Sequence, residues 1–329
     1  MVKQRSEIDK NINSAMGITM DNLCEELFTF MRLDCYKEVA LEELPYYTNW
    51  AERIVNADCS LNVKRNNEKV LAEYDIDKWE KVLDLLQNTY FSNFSNATDL
   101  FFYVHLSIMK SSKLVNTLIS FADDHIIDVE TDENREKCQY RFRSFFIKKF
   151  KQDAEVLVEL GSGVGRNMFA LLQEFPQFSA AACGDLSPTG VKCTQIVSEY
   201  FNTKVDAYVH DHYDPNPSLM GKCKDALVFT CQTIEQLPKV PEKLIQSLIL
   251  ARPHMVVHFE PVYEHAFINN RLLNLLRRKY TQIKDYNIDL FTYLLDLEKS
   301  KEIRIVCNEP HVYGNNIFNP LSVIVWKPC

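Results

Sequence analysis

The residues best suited to holding a ligand are three glycines at alternate positions, Gly161, Gly163 and Gly165, which follow the apolar run VLVEL and precede RNMFALLQEF. Without Cβ atoms they admit left-handed backbone and let the main chain approach a bound group closely. A helix beginning near Arg166 would present unpaired amides at the same point. The spacing is GxGxG, with Arg166 where the third glycine of the dinucleotide pattern GxGxxG would stand, which argues against a nicotinamide cofactor. Asp185 lies twenty residues beyond Gly165 at the end of the next apolar run, the separation at which an open α/β sheet sets an acid against ribose hydroxyls. Asp211 ends the run after that and could accept from an adenine amino group, with Asp214 in HDHYDPNP as its rival. Acid–base candidates come later in the chain. His258 and Glu260 share one face of HMVVHFE by period-two alternation, Pro261 turns the chain toward Tyr263, and Glu235 follows the preceding strand. His258, Glu260, Glu264 and His265 match no zinc spacing, so no metal is expected.

These groups need a scaffold, and the hydrophobic pattern specifies one. After Phe150, short continuously apolar runs alternate with helix-like stretches, as do strands buried on both faces of a parallel sheet. Seven strands are expected, at 155–160, 179–185, 205–210, 225–230, 254–260, 302–308 and 322–327. Helices fall between them at RNMFALLQEF, PTGVKCTQIVSEYF, PEKLIQSLILA and from Glu264 to Ser300. The last two strands lack an intervening helix, which predicts an antiparallel hairpin. From about Asp21 to Phe150 glycine is absent, and apolar residues recur at helical spacing in DNLCEELFTFMR, DKWEKVLDLLQNTYF and SKLVNTLISFADDHI. Helix starts are placed at Asp75 or Asp77 and at Ser111 or Ser112. The chain thus divides into a helical N-terminal cap, residues 1–135, and an α/β domain, residues 136–329.

The ordered segments E-L-G-S-G-V-G at 159–165, G-D-L-S at 184–187 and the Asp211 turn resemble the successive motifs of class I S-adenosylmethionine-dependent methyltransferases. The resemblance covers about Tyr140 to Cys329. It implies a Rossmann-like seven-stranded sheet in the order 3-2-1-4-5-7-6 with the last strand antiparallel, S-adenosyl-L-methionine as cofactor and S-adenosyl-L-homocysteine as product. It also implies roles. The glycine turn cups the methionine moiety with Glu159 at its amino group and Asn167 nearby. Asp185 and Leu186 meet the ribose, Asp211 and His212 frame the adenine, and Thr230, Cys231 and Gln232 border the sulfonium. A helix over the cofactor would bring Tyr140 or Arg143 to the methionine carboxylate, whereas the stripe Phe142, Phe145, Phe146 and Phe150 reads as core.

Composition narrows the acceptor. The 329 residues are 46% hydrophobic, and 37 basic against 45 acidic residues leave a formal charge of −8 with no basic block, so neither nucleic acid nor an anionic membrane is an expected partner. The segment after the fourth strand, TCQTIEQLP, lacks the Asp/Asn-Pro-Pro-aromatic turn of amino-group DNA methylation. With 20 Phe and 15 Tyr to line a pocket, a small aromatic or heterocyclic acceptor is the first expectation, methylated at N, O or C. A protein or peptide side chain, or a non-catalytic cofactor-binding subunit, are the alternatives, and a homodimer is compatible with the chain. Ten scattered cysteines without a CxxC pair, no signal-like start and no long apolar span predict reduced thiols in a cytoplasmic protein.

Overall fold

The computed structural model describes residues 26, 27, 29–31, 36–56, 64–109, 117–121, 125–269 and 271–329. The helix starts expected at Ser111 or Ser112, and most of DNLCEELFTFMR, lie outside these residues.

The second half of the chain folds as its pattern requires. Continuously apolar runs become β4 (Val156–Leu160), β5 (Ala180–Asp185), β6 (Val205–Val209), β7 (Leu227–Cys231), β8 (Met255–Glu260), β9 (Ile303–Gly314) and β10 (Leu321–Pro328). Three further strands precede them: β1 (Lys37–Glu38), β2 (Leu118–Phe121) and β3 (His125–Asp128). All ten form one sheet in the order β1-β3-β2-β9-β10-β8-β7-β4-β5-β6. β6, β5, β4, β7 and β8 run parallel, and β10 is antiparallel to both β8 and β9. Among themselves the last seven strands stand in the order β6-β5-β4-β7-β8-β10-β9. A seven-stranded sheet is therefore corrected to ten strands. The all-helical N-terminal cap is corrected as well, since Leu118–Phe121 pairs with β9 and carries β3 and β1 behind it. The division at residue 135/136 falls inside a helix, Asp132–Phe150.

Ten helices matter for the site and its support: α1 (Asn67–Leu71), α2 (Glu80–Gln87), α3 (Ala97–Met109), α4 (Asp132–Phe150), α5 (Arg166–Glu174), α6 (Pro188–Phe201), α7 (Pro217–Lys222), α8 (Glu242–Ala251), α9 (Leu272–Ile283) and α10 (Leu290–Lys299). Alternation along each strand sorts the core into two layers. Leu157, Phe229, Val257 and Phe259 face Phe142, Phe146 and Phe150 of α4, together with α2, α3, α5 and α6. Val158, Val228, Val256 and Trp326 face α7, α8 and α10. The Phe142 and Phe259 rings meet edge to face at 5.5 Å, and both are fully buried. Burial of such a ring is worth about 1.5–3 kcal/mol. α4 is long because Thr131 caps it, its hydroxyl accepting from Asn134 N at 3.1 Å.

Between α1 and α2 the chain does not begin a new helix at Asp75 or Asp77. Residues Ala72–Trp79 form a π-helical stretch that joins α1 to α2 without a break, and Asn66 caps the whole by accepting from Lys69 N at 2.9 Å. Wide helical turns of this kind recur at functional sites. No described helix is long and apolar enough to cross a membrane.

Candidate active site

The C-terminal ends of β4, β5, β6 and β7 open into one crevice, where an open α/β sheet receives ligands. The glycine turn forms its floor. Gly161, Gly163 and Gly165 have φ of 82°, 55° and 78°, all in the left-handed region that favours glycine. Gly161 N and Ser162 N donate to Gly184 O at 2.7 and 3.0 Å, tying the turn to β5. Asp185 completes the tie: one carboxylate oxygen accepts from Gly163 N at 2.6 Å and the other from Ser187 N at 2.9 Å. Gly165 caps α5.

The roof comes from the N-terminal section. Trp79 lies so close to Gly163 that an added Cβ would stand 2.8 Å from its ring. Asp75 accepts from Ser187 Oγ and from Thr189 N, Asn67 Nδ2 donates to Asp211 Oδ2 at 2.6 Å, and Gln236 Nε2 donates to the Tyr74 hydroxyl at 2.6 Å. One continuous helical strap is thereby fastened to the turns after β5, β6 and β7. Beneath it lies a cavity of about 960 Å³, toward the upper end of the roughly 300–1,000 Å³ usual for small-molecule and cofactor sites.

Ten of the residues singled out in the sequence line this cavity: Gly161, Gly163, Asn167, Asp185, Leu186, Asp211, His212, Cys231, Gln232 and Glu235. Glu159 stands behind the turn, fully buried, with one oxygen accepting from Asn167 Nδ2 at 2.7 Å and the other, Oε2, without a partner among the described residues. Asp214 pairs with Lys243 on the surface, so Asp211 is the acid at the crevice. Gln232 takes φ 54°, and its carbonyl accepts from Gln236 Nε2. His212 Nε2 lies 3.0 Å from Thr233 Oγ1, while its buried Nδ1 has no partner among the described residues.

Several expected site residues stand elsewhere. His258 does share a face with Glu260, but that face packs into the layer covered by α8 and α10. Trp326 Nε1 donates to His258 Nε2 at 2.8 Å, so the ring's proton sits on Nδ1, 2.9 Å from Thr230 Oγ1. Burial holds this imidazole down at about 3, neutral and sealed from the cavity. Glu260 instead shapes the next turn, accepting from Thr233 N at 3.0 Å and Glu235 N at 3.3 Å. Tyr263 accepts from Gln282 Nε2 away from the cavity. The Tyr140 hydroxyl donates to Glu174 and lies 3.0 Å from Ala170 O, on the side of α4 turned toward α5. Thr230 and Gly165 are likewise outside the cavity lining. Buried Arg143 also stays outside it, with Nε and Nη1 unpartnered among the described residues.

Other cavity residues were not read from sequence. Trp79, Tyr74, Tyr280 and Tyr286 reach it from helices or their ends, and Asn315, Asn316 and Asn319 from the β9–β10 turn. Three asparagines within GNNIFNP were the available signal, since amides in a turn at a sheet edge can face a ligand. The cluster of His105, Glu136 and Arg166, in which the Arg166 guanidinium pairs with Glu136, had no signal beyond the glycine position Arg166 occupies.

The crevice gathers carboxyl groups whose ionisation burial opposes. Asp185 is raised to about 6 and Glu260 to about 7 by burial. Glu159 is raised to about 8 by burial, and Glu235 to about 8 by burial and then by the charge of Glu260. Such groups stabilise the fold while protonated, below their unfolded values near ~4, and that contribution is lost as pH rises through the folded values. The buried histidines His210, His212 and His258, all lowered by burial, act only below the unfolded value of ~6.5. Between pH ~6.5 and ~8.5 the carboxyl groups act alone. The ligand-free protein is therefore expected to lose several degrees of Tm across that window, with a smaller loss when a cationic ligand occupies the crevice. Differential scanning fluorimetry against pH checks this, and a flat or rising Tm would contradict it.

No family model matches the chain, and no curated protein matches its sequence. Among solved structures it is similar to the mitomycin 7-O-methyltransferase MmcR, at 13% identity and a TM-score of 0.38 over 60% of this chain and 58% of that one. It is similar also to the pyocyanin biosynthetic protein PhzM, at 12% identity and a TM-score of 0.41 over 61% and 60%. A third is the geranyl diphosphate C-methyltransferase from Streptomyces coelicolor, solved with S-adenosyl-L-homocysteine, at 12% identity and a TM-score of 0.39 over 61% and 87%. The aligned part spans less than two thirds of MmcR and of PhzM.

Proposed function

We propose that this chain is an S-adenosylmethionine-dependent methyltransferase acting on a small molecule. The observation that carries the reading is the glycine turn. Three left-handed glycines are bound through Gly163 N to an acid at the end of the next strand, and two of them, Gly161 and Gly163, open on the same cavity as Glu235. The residues fit the cofactor. A Cβ at Gly161 would overlap Thr233, so the turn keeps its cradle only with glycine there. The unpartnered Glu159 Oε2 is a buried acceptor for a methionine ammonium. Asp185 retains lone pairs for ribose hydroxyls beyond the two amides it accepts, and Asp211 and His212 stand at the adenine end. When bound, the cofactor supplies an electrophilic methyl group.

The chain's own residues then orient and move protons. Glu260 fixes the turn that carries Glu235, and Glu235 is the acid positioned to take a proton from an acceptor. The strap roofs the crevice, which supports a small acceptor over a protein side chain. Much of the rate gain in such a displacement comes from alignment of acceptor and methyl group.

Calorimetry with S-adenosylmethionine and S-adenosylhomocysteine, with NAD as control, tests the cofactor. Binding of the first two alone is expected, and binding of neither would overturn the reading. Asp185→Ala removes both the ribose acceptor and the tie to Gly163, and is expected to weaken cofactor binding by about 1–3 kcal/mol. Undiminished affinity in that variant would remove Asp185 from the site.

A further inference from the structure

The end of the cavity beyond β7 differs chemically from the cofactor crevice. Glu235 is 4% exposed, and only one of its carboxylate oxygens, Oε2, is engaged, accepting from Asn319 Nδ2 at 2.8 Å. Oε1 accepts no hydrogen bond among the described residues, although the side chain lines the cavity. Tyr74, Tyr280 and Tyr286 line the same end, and burial first, with the Glu235 charge adding to it, raises the titration of all three phenols. The Tyr280 and Tyr286 rings lie 6.2 Å apart, and Tyr280 is held by Asn316 Nδ2 at 3.0 Å. Glu260, behind the turn, adds a second carboxylate to the local field.

Two cations stand beside this end: the Lys78 ammonium, which lines the cavity, pairs with Glu73 at 3.5 Å and lies 3.8 Å from the centre of the Tyr74 ring, and Arg65, whose charge favours ionised Glu235. Arg65 donates from Nε to Gln236 O and from Nη2 to both Gln236 Oε1 and Glu73, and its guanidinium lies 5.1 Å from the centre of the Tyr286 ring without lining the cavity. An acid with a spare oxygen among phenol rings favours a cation, because the ring faces are negative and the carboxylate completes an ion pair. A neutral hydroxyl acceptor would give the ionised carboxylate no counter-charge.

Resting on the methyltransferase reading, the geometry points to an acceptor with a basic nitrogen, an amine that enters as its ammonium, is held by Glu235 among Tyr74, Tyr280 and Tyr286, and is methylated on that nitrogen. Glu235 takes one proton from the ammonium and exposes the lone pair. The lone pair forms the N–C bond while the C–S bond breaks and its electron pair returns to sulfur. The methylated ammonium leaves, and Glu235 gives its proton to solvent, so each turnover releases one proton.

The test uses the full chain saturated with S-adenosylhomocysteine and titrated with benzylamine, benzyl alcohol and p-cresol. Benzylamine is expected to bind at least about tenfold more tightly than either neutral probe. Glu235→Gln and, separately, Tyr286→Leu are expected to lose that preference while S-adenosylhomocysteine affinity persists, which shows that the variants are folded. Equal binding of the three probes, no binding of benzylamine, or benzylamine binding unchanged in Glu235→Gln overturns the inference. Benzylamine titrated without S-adenosylhomocysteine separates the two readings: failure of S-adenosylhomocysteine to bind sinks the cofactor assignment, while the amine preference is still read on its own.

Discussion

Gly161→Ala is expected to abolish measurable S-adenosylmethionine binding and to lower Tm by about 5–10 °C, on a scale of roughly 2–4 °C per kcal/mol for a domain of this order. Two costs combine. At φ 82° a non-glycine residue is strained, by about 1–3 kcal/mol. The new Cβ would also overlap the Thr233 side chain, which cannot retreat freely. Thr233 N is held by Glu260, and Thr233 Oγ1 lies 3.0 Å from His212 Nε2. Relief of the overlap therefore moves either the glycine turn or the turn that carries Glu235, and both border the cavity. Gly221→Ala is the control. It sits in α7 with open space where the Cβ would go, and should be neutral or slightly stabilising. Calorimetry and thermal melts of the two variants check the pair. Native-like cofactor affinity in Gly161→Ala would mean that the turn is a packing device.

The parts of the fold that were legible are those in which one strand carries its own signal. VLVEL, LVFTC and MVVHFE are apolar throughout because both faces of the sheet are covered, and their positions follow within about two residues. LISF carries the same signal, but it follows a stretch with helical spacing, and a short apolar run does not distinguish strand from buried helix. Its partner β9 extends to Gly314, beyond the expected end at Asn308: Pro310 reads as a strand end, but a register shift that includes the left-handed His311 (φ 49°) lets pairing resume at Tyr313. For His258 the alternation was legible but not which face is open. Only the packing of α8, α10 and Trp326 decides that, and none of it is local in sequence. The strap is similar. DKWEK reads as helix, but the contacts of Asp75 with Ser187 and of Trp79 with Gly163 span more than eighty residues.

The same non-locality singles out Glu235 among the acid–base candidates, and its replacement gives the second large effect. Glu235→Gln is expected to lower kcat by about 10²- to 10³-fold, within the range that general acid–base groups contribute, with cofactor affinity nearly unchanged. In the native protein the Glu235 carboxyl, raised to about 8 by burial and by Glu260, must be ionised to accept a proton. The rate is therefore expected to climb with pH up to about 8 and then level, and the residual rate of Glu235→Gln should lack that limb. Arg65 and the amide of Asn319 favour the ionised form while Glu260 opposes it, so Glu260→Gln should move the limb to lower pH. Because Glu260 also holds Thr233 N and Glu235 N, that variant should lose kcat too, yet keep a pH-dependent limb. A limb that moves but survives in Glu260→Gln and vanishes in Glu235→Gln distinguishes a residue that positions from one that takes the proton. Full turnover in Glu235→Gln would leave the transfer to alignment alone.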